Sequence, residues 1–271
     1  MYEYIQSSSN PKIKLIKELY TPKGRKKNKL FIAEGRQEIE KAFFTNHLPI
    51  FIFINKKFIQ KHLKSFFSKY DLYIKNAKIF EIEESLFSRL SYRDRSEGIL
   101  AIFHWQEKKL EDIILKDITT IIVLEKIEKP GNLGAILRIA DATKTDAILV
   151  TDTNFDIYNP NVIRASTGCI FTTNVILLDN FTAYEWLKKN NFFIYATKID
   201  AKIPYTKESY RNFSAFVFGS ENKGISDFWK THNDVSIYIP MLGKADSLNV
   251  ATSVALLLYE NLRQKNFFNL H

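Results

Sequence analysis

Short apolar runs alternate with longer amphipathic ones along the chain. Residues 10–20 read as a basic helix whose apolar face is Ile13, Leu15, Ile16 and Leu19, and 21–28 as a Lys/Arg/Gly loop. Strands follow at 30–33, 50–54, 79–82 and 99–105, with helices between them at 36–44, 57–69 and 84–90. Strands that alternate with helices predict a sheet covered by helices. The second half repeats this with more apolar strands, at 120–124, 147–150, 173–177, 193–197, 215–218 and 235–239. Its helices fall at 133–143, 159–166, 182–189, with Thr182 as N-cap, and 247–263. Continuous apolar strands such as Ile148-Leu-Val150 and Phe216-Val-Phe218 imply burial on both faces, as in a mainly parallel sheet. The expected organisation is a small α/β domain over 1–105, a linker rich in Glu, Lys and Asp over 106–117, and a larger α/β domain over 118–271.

Composition narrows the class. A chain of 271 residues with 45% hydrophobic content supports two folded domains. No run of 18 apolar residues is present, so no membrane span is expected. The first residues have no basic segment leading into an apolar one, so no secretory signal is expected. Cys169 is the single cysteine, which fits a reducing cytoplasm and excludes a multi-cysteine metal site. The histidines at 47, 62, 104, 232 and 271 lack metal-ligand spacing and read as surface or loop residues, so no metal is expected.

Charge points to a polyanion. The net charge is +9, and its placement matters more than its size. Lys12, Lys14, Lys17, Lys23, Arg25, Lys26, Lys27 and Lys29 crowd one N-terminal segment in which Glu18 is the only acid. A solvated helix face would interleave both signs. This segment reads as a phosphate-contacting arm, with Lys23, Arg25, Lys26 and Lys27 at its centre and nucleic acid as its partner.

Three segments of the second half share one design: a strand end, a loop, then a helix start. They are Asn132-Leu-Gly-Ala-Ile-Leu-Arg138, Phe218-Gly-Ser-Glu-Asn-Lys-Gly224, and Ile239-Pro-Met-Leu-Gly-Lys-Ala-Asp-Ser-Leu-Asn-Val-Ala251. Ligands of open α/β sheets bind where such strand ends meet, so the three predict one composite site. In this order they resemble the three motifs of the SpoU (TrmH) family of RNA ribose 2′-O-methyltransferases, of the SPOUT type, over about 118–265. The resemblance implies a trefoil-knotted methyltransferase domain, S-adenosylmethionine as methyl donor, a homodimer, and an RNA substrate. Ribosomal RNA is expected first and transfer RNA second. The first block resembles the small ribosomal-protein-like RNA-binding domain that precedes the catalytic domain in many members.

Roles for individual residues follow from that likeness. Gly219, Ile239 and Leu248 match positions that hold the donor, with Gly243 expected to act like Gly219 and Met241 to form pocket wall. Without a Cβ, Gly219 lets backbone approach a ligand closely, though both glycines also suit ordinary turns. Arg138 matches the catalytic arginine and stands among apolar helix neighbours, where a guanidinium needs an anionic partner. Glu221 is expected to supply it. Asn132 and Ser247 suit helix N-caps as well as a site. Asn249 is a poor helix former, which favours a side-chain contact. Arg164 and Ser166, in Arg164-Ala-Ser-Thr-Gly168, resemble a segment near the substrate phosphate. Rival readings are a catalytically inactive RNA-binding relative and an enzyme for a small acidic metabolite.

Overall fold

In first-half order, β1 (Glu3–Ile5), α1 (Pro11–Leu19), α2 (Pro22–Asn28), β2 (Leu30–Glu34), α3 (Arg36–Phe44), β3 (Pro49–Ile54), α4 (Lys56–Lys69), α5 (Asp71–Ile74), β4 (Lys78–Ile82), α6 (Glu84–Leu90) and β5 (Ile99–His104) follow one another. Then come β6 (Thr119–Glu125), α7 (Pro130–Ala142), β7 (Ala147–Thr151), α8 (Pro160–Ala165), α9 (Cys169–Thr172), β8 (Val175–Leu178), α10 (Asn180–Lys189), β9 (Phe193–Thr197), β10 (Ile203–Pro204), β11 (Phe213–Phe218), α11 (Asp227–Thr231), β12 (Val235–Tyr238) and α12 (Val250–Gln264). This computed structural model describes residues 2–91 and 97–265; His271 lies outside them.

The chain divides into two units, and not at a single cut. One comprises Met1–Gln106 with Asp156–Thr172, the other Glu107–Phe155 with Thr173–His271. The first unit contains a five-stranded mixed sheet in the order β1-β4-β3-β5-β2. β2 and β3 run antiparallel to β5, and β1 and β3 parallel to β4. Segment 156–172 joins this unit because it completes its core. Phe31 stacks on Tyr158 with ring centroids 4.2 Å apart, and on Phe171 at 5.8 Å. Arg25 forms an ion pair with Asp156 at 2.6 Å.

Residues 21–28, expected as a loop, form helix α2. Thr21 caps it by accepting the Gly24 N–H, and Pro22 occupies its first position. These are good start signals, but a helix that buries only Gly24 and Arg25 has no apolar period to betray it. β1 escapes for a related reason: three residues are too few to show an alternation, and pairing with β4 defines it.

The second unit is built on a seven-stranded sheet, β10-β12-β9-β11-β6-β7-β8, in which every neighbouring pair is parallel. All seven residues of β6 are buried, as a strand covered on both faces requires. Ile113, in the expected linker, is buried in this unit's core. Three helix starts differ from expectation. α7 begins at Pro130, α10 is capped by Asp179 instead of Thr182, and α12 begins at Val250 with Asn249 as cap. Where several capping residues lie close together, the backbone decides which one caps.

Candidate active site

The site lies where the sheet changes direction. From β6 the chain moves outward through β7 to β8, then returns to β9 and β11 on the other flank of β6. Such a switch point leaves a crevice beyond the carboxyl ends of the parallel strands. A cleft occupies it, lined by Leu124 and Glu125 at the end of β6, Phe218 and Gly219 at the end of β11, and Lys129, Glu221 and Val250. Its lining mixes the apolar Leu124, Phe218 and Val250 with the charged Glu125, Lys129 and Glu221.

The first and third motifs meet directly. Asn249 caps α12 through Oδ1, which accepts the Ala251 N–H at 2.9 Å. Its Nδ2 donates to Oδ1 of Asn132 at 3.2 Å. Asn132 therefore stands within the first turn of α7 and not at its cap; its own N–H donates to the Lys129 carbonyl. Ser247, expected to cap α12, lies on the exposed approach to it.

Glu221 does not pair with Arg138. It forms an ion pair with Lys129, the residue just before α7. Arg138 is exposed on α7, so its apolar sequence neighbours do not enclose it. Eight residues separate it from Pro130, or roughly 12 Å along a helix axis, while the turn bearing Glu221 meets the helix at its start.

Gly219 is required for a reason other than ligand access. A Cβ there would lie 1.9 Å from the Gly224 carbonyl carbon and 2.1 Å from the Ile225 nitrogen. The chain doubles back on itself, since Ser220 and Gly224 exchange backbone hydrogen bonds of 3.1 and 2.9 Å. Gly243 has open space where a Cβ would sit, so no steric demand selects glycine there. Gly243 and Leu248 are exposed, and Ile239 and Met241 half-buried, on segment 239–249 outside the cleft walls.

The expected RNA contacts separate into two kinds. Lys23, Lys26 and Lys27 are exposed, with Lys27 paired to Glu18 at 3.0 Å. Arg25 is 1% exposed. Its Nε donates to Asp156 and its Nη1 to the Leu19 carbonyl at 2.7 Å, so it is a core ion pair and no phosphate contact. Ser166 is also buried, its hydroxyl donating to the Ile163 carbonyl. Arg164 is exposed, with Nη2 3.3 Å from Asn161 Oδ1. Sequence reasoning missed Lys129 and Glu125. The one signal for Glu125 was a carboxylate ending the apolar run Ile121-Ile-Val-Leu.

Residues 119–259 match the SpoU rRNA methylase family, and residues 10–101 an MRM3-like substrate binding domain. A 23S rRNA (guanosine(2553)-2′-O)-methyltransferase of Bacillus subtilis is 28% identical over 256 residues, covering 94% of this chain and 97% of the relative. A solved RNA 2′-O ribose methyltransferase superposes with a TM-score of 0.82 at 34% identity, over 97% of this chain and 99% of that one. An AdoMet-bound rRNA methyltransferase from Sinorhizobium meliloti shares the fold, with a TM-score of 0.87 at 23% identity over 97% and 98% of the two chains. Matched over more than half its length, with the first and third motifs joined beside the carboxyl ends of β6 and β11, the chain belongs to the SpoU rRNA methylase family.

Proposed function

We propose that this chain uses S-adenosylmethionine to methylate a ribose 2′-hydroxyl in 23S ribosomal RNA, as a cytoplasmic homodimer. The observation that carries the reading is the Asn249–Asn132 hydrogen bond, which joins the first and third motifs beside the turn that bears Glu221. The residues present suit the donor. Leu124, Phe218 and Val250 offer apolar wall for a purine, and the Glu221 carboxylate lines the same cleft. When bound, the donor supplies a methyl group activated by its sulfonium.

The chain's own residues handle the acceptor. A guanidinium stays charged in proteins, so Arg138 serves by holding the acceptor phosphate and stabilising negative charge that develops on the 2′-oxygen. The linked amides of Asn132 and Asn249 fix the helix starts around the acceptor, and Ser247 offers a hydroxyl on the approach to α12. Donor contacts from Gly219, Ile239, Met241, Gly243 and Leu248 belong to the same reading, as does a trefoil knot through segment 239–249; family membership supports both. Exposed Lys14, Lys17, Lys23, Lys26 and Lys27 on α1 and α2, with Arg164, supply phosphate contacts.

In this reading the dimer interface uses apolar surface that a single chain leaves uncovered. Val254, Leu257 and Leu258 of α12 are already buried within one chain. Leu242, 99% exposed, and Tyr259, 55% exposed, remain for a second copy.

Mapping ribose methylation in total RNA from cells with and without the gene tests the function. Loss of one methylated ribose in 23S RNA is expected. Loss confined to transfer RNA would reassign the substrate, and an unchanged map with intact donor binding would mark an inactive relative.

A further inference from the structure

Glu125 has no part in the reaction as read above, yet it is 1% exposed and lines the cleft. A carboxylate buried this far needs hydrogen-bond partners. Its Oε1 accepts from Asn180 Nδ2 at 2.7 Å, and its Oε2 accepts the Ser226 backbone N–H at 2.7 Å. The Asn180 amide is held in turn: Nδ2 also donates to Asp152 Oδ2, and Oδ1 accepts from the fully buried Trp229 Nε1, each at 2.7 Å. One carboxylate thus ties together the end of β6, the start of α10 and the cap of α11.

Ser226 closes the segment that opens at Gly219. That segment is pinned at its start by β11, and in its middle by the two-way bridge between Ser220 and Gly224. Only Ile225 separates the bridge from the Ser226 amide. The Glu125 bond therefore sets where the whole turn ends, and with it where Gly219 and Glu221 face the cleft.

We infer that Glu125 is a positioning residue for the methyl-donor site, acting through the Ser226 N–H to hold the 219–225 turn in its binding shape. This rests on the donor reading above. Hydrogen bonds to a charged acceptor are about twice as strong as neutral ones. A glutamine keeps the size of the side chain but offers one oxygen where two are used, so either Asn180 or Ser226 would face an NH2 group.

Donor titration by calorimetry and steady-state kinetics on the full-length protein test this. Glu125→Gln should raise the donor Kd about tenfold, as expected for removing one charge-assisted hydrogen bond. The KM for donor should rise in step, while kcat at saturating donor falls by less than about threefold. A folded Glu125→Gln protein with unchanged donor Kd would overturn the inference, as would a loss carried by kcat alone. Hydrogen exchange on the unmodified protein gives a second measurement that does not depend on the variant folding. The Ser226 amide should be protected to the level of the β11 amides, and rapid exchange there would overturn the inference too. An unmodified protein with no affinity for the donor would overturn the donor reading and this inference together, whereas a variant-specific null result removes only the latter.

Discussion

Asn249 and Asn132, 117 residues apart in the chain, are joined by a 3.2 Å hydrogen bond from Nδ2 to Oδ1. The same Asn249 side chain caps α12. Two substitutions separate these duties. Asn249→Asp keeps a capping oxygen but has no N–H to give Asn132. It should leave thermal stability nearly unchanged and lower methyl transfer on the order of a hundredfold, the scale of removing one positioned donor. Asn249→Ala removes the cap as well and should also cost about 1 kcal/mol of stability. Melting curves beside a tritium-transfer assay check both.

Arg138 is exposed and unpaired with Glu221, as a group meant for substrate would be. Arg138→Ala should abolish methyl transfer and leave donor affinity within about twofold, since the proposed role of Arg138 is contact with the acceptor alone. Calorimetry in which donor binding disappears along with activity would show the role assigned here to be wrong.

At Gly219 the obstacle to a side chain is the protein's own backbone at Gly224 and Ile225. Gly219→Ala should therefore destabilise the fold, by about 1–3 kcal/mol as for other overpacked sites, in addition to weakening donor binding. Thermal melting without ligand distinguishes this from simple obstruction of a pocket, which would leave the melt unchanged.

Arg25 and its basic neighbours should behave in opposite ways. Removing one partner of a buried ion pair typically costs about 3–5 kcal/mol, so Arg25→Met should lower stability sharply. Neutralising Lys14, Lys17, Lys23 and Lys26 together should leave melting unchanged. It should reduce the log–log salt dependence of RNA binding by about 2–3, at roughly 0.7 for each phosphate that no longer has a lysine beside it. An unaltered slope would place the RNA elsewhere.

Light scattering tests the dimer. A species near twice 31.6 kDa is expected at micromolar concentration, and Leu242→Asp should shift it toward the monomer because it places a charge where the interface is proposed. Full activity in a 31.6 kDa species would end the dimer proposal.

Local pattern determined most of the longer elements and the family likeness. Apolar strands buried on both faces announce themselves as continuous runs, and β7 and β11 were legible for that reason. The three loop motifs were legible because each joins a strand end to a helix start with residues suited to a crevice. Pairings between distant residues are not written in local pattern. Arg25 looked like one more cation in a basic arm until Asp156 and the Leu19 carbonyl enclosed it. Glu221 found Lys129 instead of Arg138 because a helix start, and not its middle, faces the turn. Gly219 is constrained by a backbone five residues further on, and Glu125 by an amide a hundred and one residues away. Segment 156–172 left its neighbours in sequence for the core of the first unit. Sequence periodicity records which side of an element is apolar; only the packed fold brings together the charges and amides that must satisfy one another once water is excluded.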